Sequence, residues 1–172
     1  IRPAASFAEM LFRVGYQQVS DISALVEAWI NLLRLSEPQV VIVEHAPSAM
    51  LAARALGLPC LVMGTGFTVP PDTQPSPTLQ PWGQPDLPRL EAAEKHALAN
   101  INRVLQDVHG EPLDSIGSLF HQRKPILVTV PELDHFGARP GTRYWGNYVA
   151  VNKPGPPPSW PRHKGEKVFV YM

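Results

Sequence analysis

Cysteine is nearly missing from this chain: Cys60 is the only one among 172 residues. No internal disulfide can form, and a reducing, cytoplasmic setting is the expectation. An excess of charge of either sign is missing as well, with 15 Lys and Arg against 15 Asp and Glu. That balance removes any compositional case for nucleic acid or an anionic membrane as a partner. No apolar run approaches the ~20 residues that a membrane-spanning helix needs, and no signal-peptide pattern opens the chain. Three chemical signatures are also lacking. There is no HExxH or CxxC set, so no metal site is expected, and Ser115 and Ser118 lack a GxSxG elbow. Gly64-Thr65-Gly66 lacks the third glycine and following helix of a dinucleotide fingerprint, so that reading is weak.

What is present is material for a core: hydrophobic residues make up 44% and charged residues only 17%. The most informative stretch runs from Pro38 to Pro70. Gln39–Val43 is an apolar, β-branched run of strand length, as a strand buried on both faces should be. Pro47 suits the first turn of a helix, Ala49–Leu56 is rich in helix formers, and Gly57 can stop that helix in a left-handed conformation. Cys60–Met63 is a second short apolar strand. A βαβ unit places its two strands parallel, so the fold class is α/β, a Rossmann-like parallel sheet flanked by helices. Ligands collect beyond the carboxyl ends of such strands, which here carry Glu44-His45 and Gly64-Thr65-Gly66-Phe67.

Around this unit, Ser6–Tyr16 reads as a helix with Gly15 near its end. Val19, Ile22, Leu25, Val26, Trp29, Ile30 and Leu33 recur at helical spacing, as do Leu90, Ala93, Ala97, Ile101, Val104 and Val108. Pro88 stands near the start of the second of these helices, with Asp86, Glu91 and Glu94 placing negative charge at its N-terminus. Residues 68–88 carry seven prolines and read as an extended loop, of a length that is usually either functional or mobile. Pro112 is expected to begin a shorter helix, Ile126–Val130 to form a third strand parallel to the first two, and Arg143–Trp145 is a further strand candidate. Residues 1–150 are thus expected to form one domain, 151–166 a proline-rich linker, and 167–172 the first strand of another domain.

EHAPSAMLAARALGLPCLVMGTGFTVP at 44–70, ILVTVPELDHF at 126–136, RYWGNYV at 143–149 and SWPRHKGEKVFVYM at 159–172 together resemble the two-domain (GT-B) glycosyltransferases that use nucleotide sugars, especially bacterial relatives of the antibiotic and flavonoid glycosyltransferases. The resemblance implies the N-terminal, acceptor-binding domain, with the donor nucleotide bound mainly by the other domain and no cofactor held by this chain itself. It implies metal-independent transfer of a sugar from a UDP- or TDP-sugar to a hydroxyl of a small, hydrophobic acceptor. It also implies that the first strands of that domain, with a histidine in a Gly-His context, are missing before Ile1, and that the nucleotide-sugar domain is missing beyond Met172. The chain is then expected to be inactive alone. Its exposed strand edge is expected to pair with a second copy or with the missing segments.

Within the resemblance, Glu44 is the orienting carboxylate for the catalytic histidine, where the family usually has Asp; the alternative is a solvated or helix-terminal charge. His45 is an alternative base or an acceptor contact, or else a structural or solvent-facing histidine. Gly64, Thr65, Gly66 and Phe67 are expected to let the backbone approach an acceptor and line its pocket, or to form a turn with a core phenylalanine. Asp134 reads as a turn carboxylate capping backbone amides, and Cys60 as a buried small side chain. The competing functional reading is a non-catalytic small-molecule-binding or regulatory module of the same fold.

Overall fold

The computed structural model describes residues 3–146. The expected strand at 167–172 and the linker at 151–166 lie outside the described residues. The elements follow in the order α1 (Phe7–Phe12), α2 (Val19–Ser36), β1 (Val41–Val43), α3 (Pro47–Ala55), β2 (Cys60–Gly64), α4 (Leu87–Asp107), α5 (Ile116–Phe120) and β3 (Ile126–Leu127), with a short 3-10 turn at Pro131–Leu133. The three strands form one parallel sheet in the order β1-β2-β3. Val43 pairs with Val62, and Gly64 with Leu127. This mixed α/β arrangement is compatible with a Rossmann-like sheet.

The βαβ unit forms as its residues dictate. Pro47 sits in the first turn of α3. After Ala55, Gly57 takes φ 64°, its N–H donates to Arg54 O (3.1 Å), and Leu58 N–H donates to Ala53 O (2.9 Å). These two bonds form a Schellman stop, which satisfies carbonyls that the helix end would leave orphaned. α3 is buried along nearly its whole length, from Pro47 to Ala53. It packs against α2, β1 and β2, and its small alanines permit that close approach. One continuous core joins Phe7 and Leu11 of α1, Ile22 and Val26 of α2, Met50 and Leu51, Ile101 and Leu105 of α4, Phe120, and Val43, Val62 and Leu127 of the strands. β1 is an outer strand of the described sheet, and its Ile42 is 60% exposed.

Several elements depart from the sequence expectation. α1 ends at Phe12 rather than Tyr16, because Val14 and Tyr16 both return their N–H groups to Leu11 O through Gly15 at φ 97°. Pro112 does not start a helix. Asn102 of α4 clamps Leu113, accepting its N–H (2.7 Å) and donating to its carbonyl (2.9 Å), which holds this segment out of helical geometry. α5 begins only after Ser115, whose hydroxyl and that of Ser118 form a capping box. β1 starts at Val41, not Gln39. β3 stops at Leu127, because the chain of β2 turns away at Thr65, whose carbonyl accepts from Val69 N–H (3.1 Å). Arg143–Trp145 contributes a single parallel bridge, Tyr144 to Leu127, instead of a strand.

The loop at 68–88 is anchored in its first half. Val69 and Ser76 are fully buried, Leu79 N–H donates to Ala5 O (2.8 Å), and Ser115 Oγ donates to Asp72 Oδ1 (2.7 Å). Its main anchor is Glu94, which the sequence reading had placed among the charges at the start of α4. Asp86 caps that helix instead, accepting from Arg89 N–H. Glu94 is 3% exposed and accepts from Ser76 N–H (3.3 Å), Ser76 Oγ (2.7 Å) and Ile116 N–H (3.0 Å). One carboxylate thus joins the loop, α4 and the start of α5. Glu94→Ala leaves three buried donors unmatched and is expected to cost on the order of 3 kcal/mol. Urea unfolding checks this as a lower midpoint at constant slope, with Glu94→Gln losing less because it keeps an acceptor oxygen. A Glu94→Ala protein as stable as the parent would contradict this role.

Candidate functional site

The carboxyl ends of β1 and β2 lead into two distinct clusters. After β1, Glu44 and His45 are both exposed, and His45 takes a left-handed φ of 47° that turns the chain toward α3. Its ring stands edge-on to Phe7, with centroids 6.0 Å apart. Glu44 makes no hydrogen bond or ion pair among the described residues. Beside His45 lies a half-open cavity of about 350 Å³ between α1, α2 and the start of α3. Phe7, Met10, Leu11, Val14, Leu25 and Trp29 give it apolar walls. Its polar feature is a hydroxyl pair: Tyr16 and Ser48 share a hydrogen bond of 2.7 Å. Burial pushes the Tyr16 phenol well above its ordinary value, partly offset by the Ser48 bond. Tyr16, fully buried, therefore stays protonated near neutral pH. The cavity falls in the size range of small-molecule sites.

After β2, Gly64-Thr65-Gly66-Phe67 leads into the second cluster. Phe67 meets the His135 ring edge-on at 5.1 Å, and His135 also stands edge-on to Phe136 (4.9 Å) and Trp82 (6.4 Å). The imidazole is fixed by a hydrogen bond between Nε2 and Leu79 O (3.0 Å), in which the carbonyl accepts. Thr65 works locally: its carbonyl accepts from Val69 N–H and from the Thr68 hydroxyl (3.3 Å). The glycines do serve close approach, but to the chain's own side chains. A Cβ on Gly64 would stand 2.3 Å from Thr68 Oγ1, and one on Gly66 would stand 2.1 Å from Asp134 Oδ1.

Asp134 does cap a backbone amide, accepting from Phe136 N–H (3.1 Å). It also accepts from Arg139 Nη2 (3.2 Å) and from the Tyr144 hydroxyl (2.8 Å), and Arg139 Nε lies 2.9 Å from its Oδ2. Arg139 Nη2 also donates to Gly66 O (3.0 Å), so this ion pair holds the loop after β2 against the segment after β3. Sequence reasoning missed Arg139 and Tyr144 because both partners lie in an irregular segment without periodicity. It also missed Tyr16, Ser48 and Trp29, which only the packing of α1 and α2 brings to His45. Cys60 is buried as expected, and burial raises its thiol, keeping it protonated. No group of three or more His, Cys, Asp or Glu gathers in metal-binding geometry among the described residues. Likewise, no helix there is long and apolar enough to cross a membrane.

No family model, curated protein or solved structure matches the chain.

The packing of Gly66 gives a direct test. Gly66→Ala drives a methyl into the buried Asp134 carboxylate and is expected to cost about 2 kcal/mol or more. Gly83→Ala, whose new methyl would lie 3.6 Å from its nearest neighbour, should stay within about 0.5 kcal/mol of the parent. Thermal and urea unfolding of the two variants compare them, and equal stabilities would refute the close-packing role of Gly66.

Proposed function

We propose that this chain supplies the acceptor-binding side of a glycosyltransferase that moves a sugar from a UDP- or TDP-sugar to a hydroxyl of a small, hydrophobic molecule. The observation that carries the reading is the apolar cavity beside His45, at the carboxyl end of β1. It sits where open α/β sheets collect ligands, and its walls suit an apolar acceptor. Ser48, held by the buried Tyr16 hydroxyl, offers a hydrogen bond to an acceptor oxygen at its polar corner. The resemblance of the 44–70 and 126–136 segments to the GT-B enzymes supplies the reaction class.

In that reaction the acceptor oxygen attacks the anomeric carbon as the bond from that carbon to the diphosphate breaks. The acceptor hydroxyl's proton passes to a base, and the electron pair of the broken bond leaves with the nucleoside diphosphate. The base is a histidine that the resemblance assigns to another strand of the intact enzyme. Glu44 orients that imidazole and stabilises its protonated form. Its exposure and lack of a hydrogen-bonding or ionic partner among the described residues leave its carboxylate open to this use. His45, at the cavity rim, contacts the acceptor.

The same unpaired Glu44 also favours a second reading, a module that binds a small molecule in this cavity without transferring a sugar. The intact gene product, supplied with UDP- and TDP-glucose and a panel of apolar phenolic and polyketide alcohols, separates the two. Transfer is read as nucleoside diphosphate release together with a hexose mass gain on the acceptor. Glu44→Gln should lower turnover by about tenfold or more at saturating acceptor. Leu25→Trp, which fills the cavity, should raise the acceptor KM several-fold with little effect on kcat. Acceptor binding without transfer would select the second reading, and unchanged turnover in Glu44→Gln would remove that residue from the mechanism.

A further inference from the structure

We propose that a separate cavity, at the outer side of β3, binds a phosphate group. This cavity of about 350 Å³ is lined by Lys124, Arg139, Arg143 and His121, with Trp145 at its wall, and none of its lining residues is acidic. Such a gathering stands out in a chain whose charges balance overall. Arg139 is offset by its ion pair with Asp134. Lys124 and Arg143 have no carboxylate partner among the described residues, so the cavity keeps two uncompensated positive charges. That charge matches a phosphate group, which carries roughly −1.5 to −2 near neutral pH.

A second observation points the same way. The Arg139 side chain is 11% exposed, yet its Nη1 is buried without a hydrogen-bond acceptor. Its Nε, though 2.9 Å from Asp134 Oδ2, is in ionic contact without a directed hydrogen bond. A guanidinium with an unmatched buried N–H is costly, and Arg139 is among the residues that line this cavity. His121 contributes less, since its Nε2 is already engaged with Pro70 O (2.9 Å). The Arg143 guanidinium lies over the Trp145 ring, 3.8 Å from its centroid. That stacking orients the guanidinium and leaves Trp145 54% exposed beside the phosphate position. The phosphate can therefore be free or carried by a molecule with a planar ring to lay on Trp145. Arg139 also donates to Gly66 O and Asp134, which ties this cavity to the loop after β2.

The inference stands on this cavity alone and does not depend on sugar transfer. Isothermal titration of the full chain at low ionic strength, with inorganic phosphate and separately with AMP, tests it. Low salt is needed because Lys124 and Arg143 are exposed and their attraction is screened. Saturable binding is expected, with a dissociation constant of about 1 mM or tighter for at least one of the two. Tighter binding of AMP assigns a ring-bearing phosphate, and equal binding assigns the free anion; both support the site. The double variant Lys124→Ala/Arg143→Ala, which alters only exposed side chains, should weaken binding by about tenfold or more. The proposal is overturned by the absence of saturable binding for both ligands, by undiminished binding in the double variant, or by an equal response to potassium chloride at matched ionic strength.

Discussion

The described fold turns on a single buried carboxylate. Asp134 has no exposed side-chain surface, and its two oxygens meet the Arg139 guanidinium, the Tyr144 hydroxyl and the Phe136 amide. A carboxylate taken out of water is stable only when its lone pairs are met in this way. The requirement is demanding because the donors lie up to ten residues beyond Asp134 along an irregular segment. The segment must therefore fold back on itself. Tyr144 closes it by bridging to Leu127, while Trp145 and Gly146 donate to Leu127 O and Thr129 O. Arg139 carries the constraint across to β2 through Gly66 O. Asp134 in turn requires that position 66 have no side chain. The ends of β2 and β3 are thus positioned by electrostatics as much as by the two residue pairs their strands share.

Glu94 performs the matching task on the helical side. Like Asp134 it is buried, but it has no cation and relies on three hydrogen bonds, two of them from Ser76. Its donors come from the proline-rich loop and from the first residue of α5, two segments with little periodic structure to place them. Proline limits the loop's freedom, and the Glu94 carboxylate chooses its position. α1 is held by a comparable device, in which Arg89 of α4 grips Glu9 and Pro3 O. Asp134 and Glu94 thus fix the irregular parts, whereas alanine, leucine and valine packing, helped on α1 by Glu9, fixes the regular ones.

That division explains what could be read from the sequence. The parallel β1–α3–β2 unit, its stop at Gly57 and the two long helices follow from periodicity, helix propensity and glycine's freedom at positive φ, all of which are local. Elements whose limits depend on a distant side chain were misplaced. Pro112 carries a helix-start signal, yet Asn102 captures the backbone of the next residue and delays the helix to Ile116. Ile126–Val130 is strand-like throughout, but only its first two residues find a partner before β2 turns away. The candidate site shows the same pattern. Glu44, His45 and the Gly64–Phe67 loop could be placed at strand ends because sheet topology puts them there. That His45 opens on a cavity built by α1 and α2, while Phe67 joins His135 and Trp82, depends on packing between segments far apart in the chain.

The separation of those two clusters has a chemical consequence. The cavity beside His45 has apolar walls and a Tyr16–Ser48 hydroxyl pair as a polar feature, the mix typical of small-molecule sites. Phe67, His135 and Trp82 instead form an aromatic edge beyond β2, with Trp82 78% exposed. His135 is fixed there by Leu79 O and enclosed by three rings, so it serves as a packed ring more readily than as a mobile base. Of the two strand ends, only that of β1 therefore combines an open cavity with a titratable side chain at its rim and a carboxylate next to it in sequence. The end of β2 contributes no residue to that cavity and is taken up by its own aromatic cluster and the Asp134–Arg139 pair.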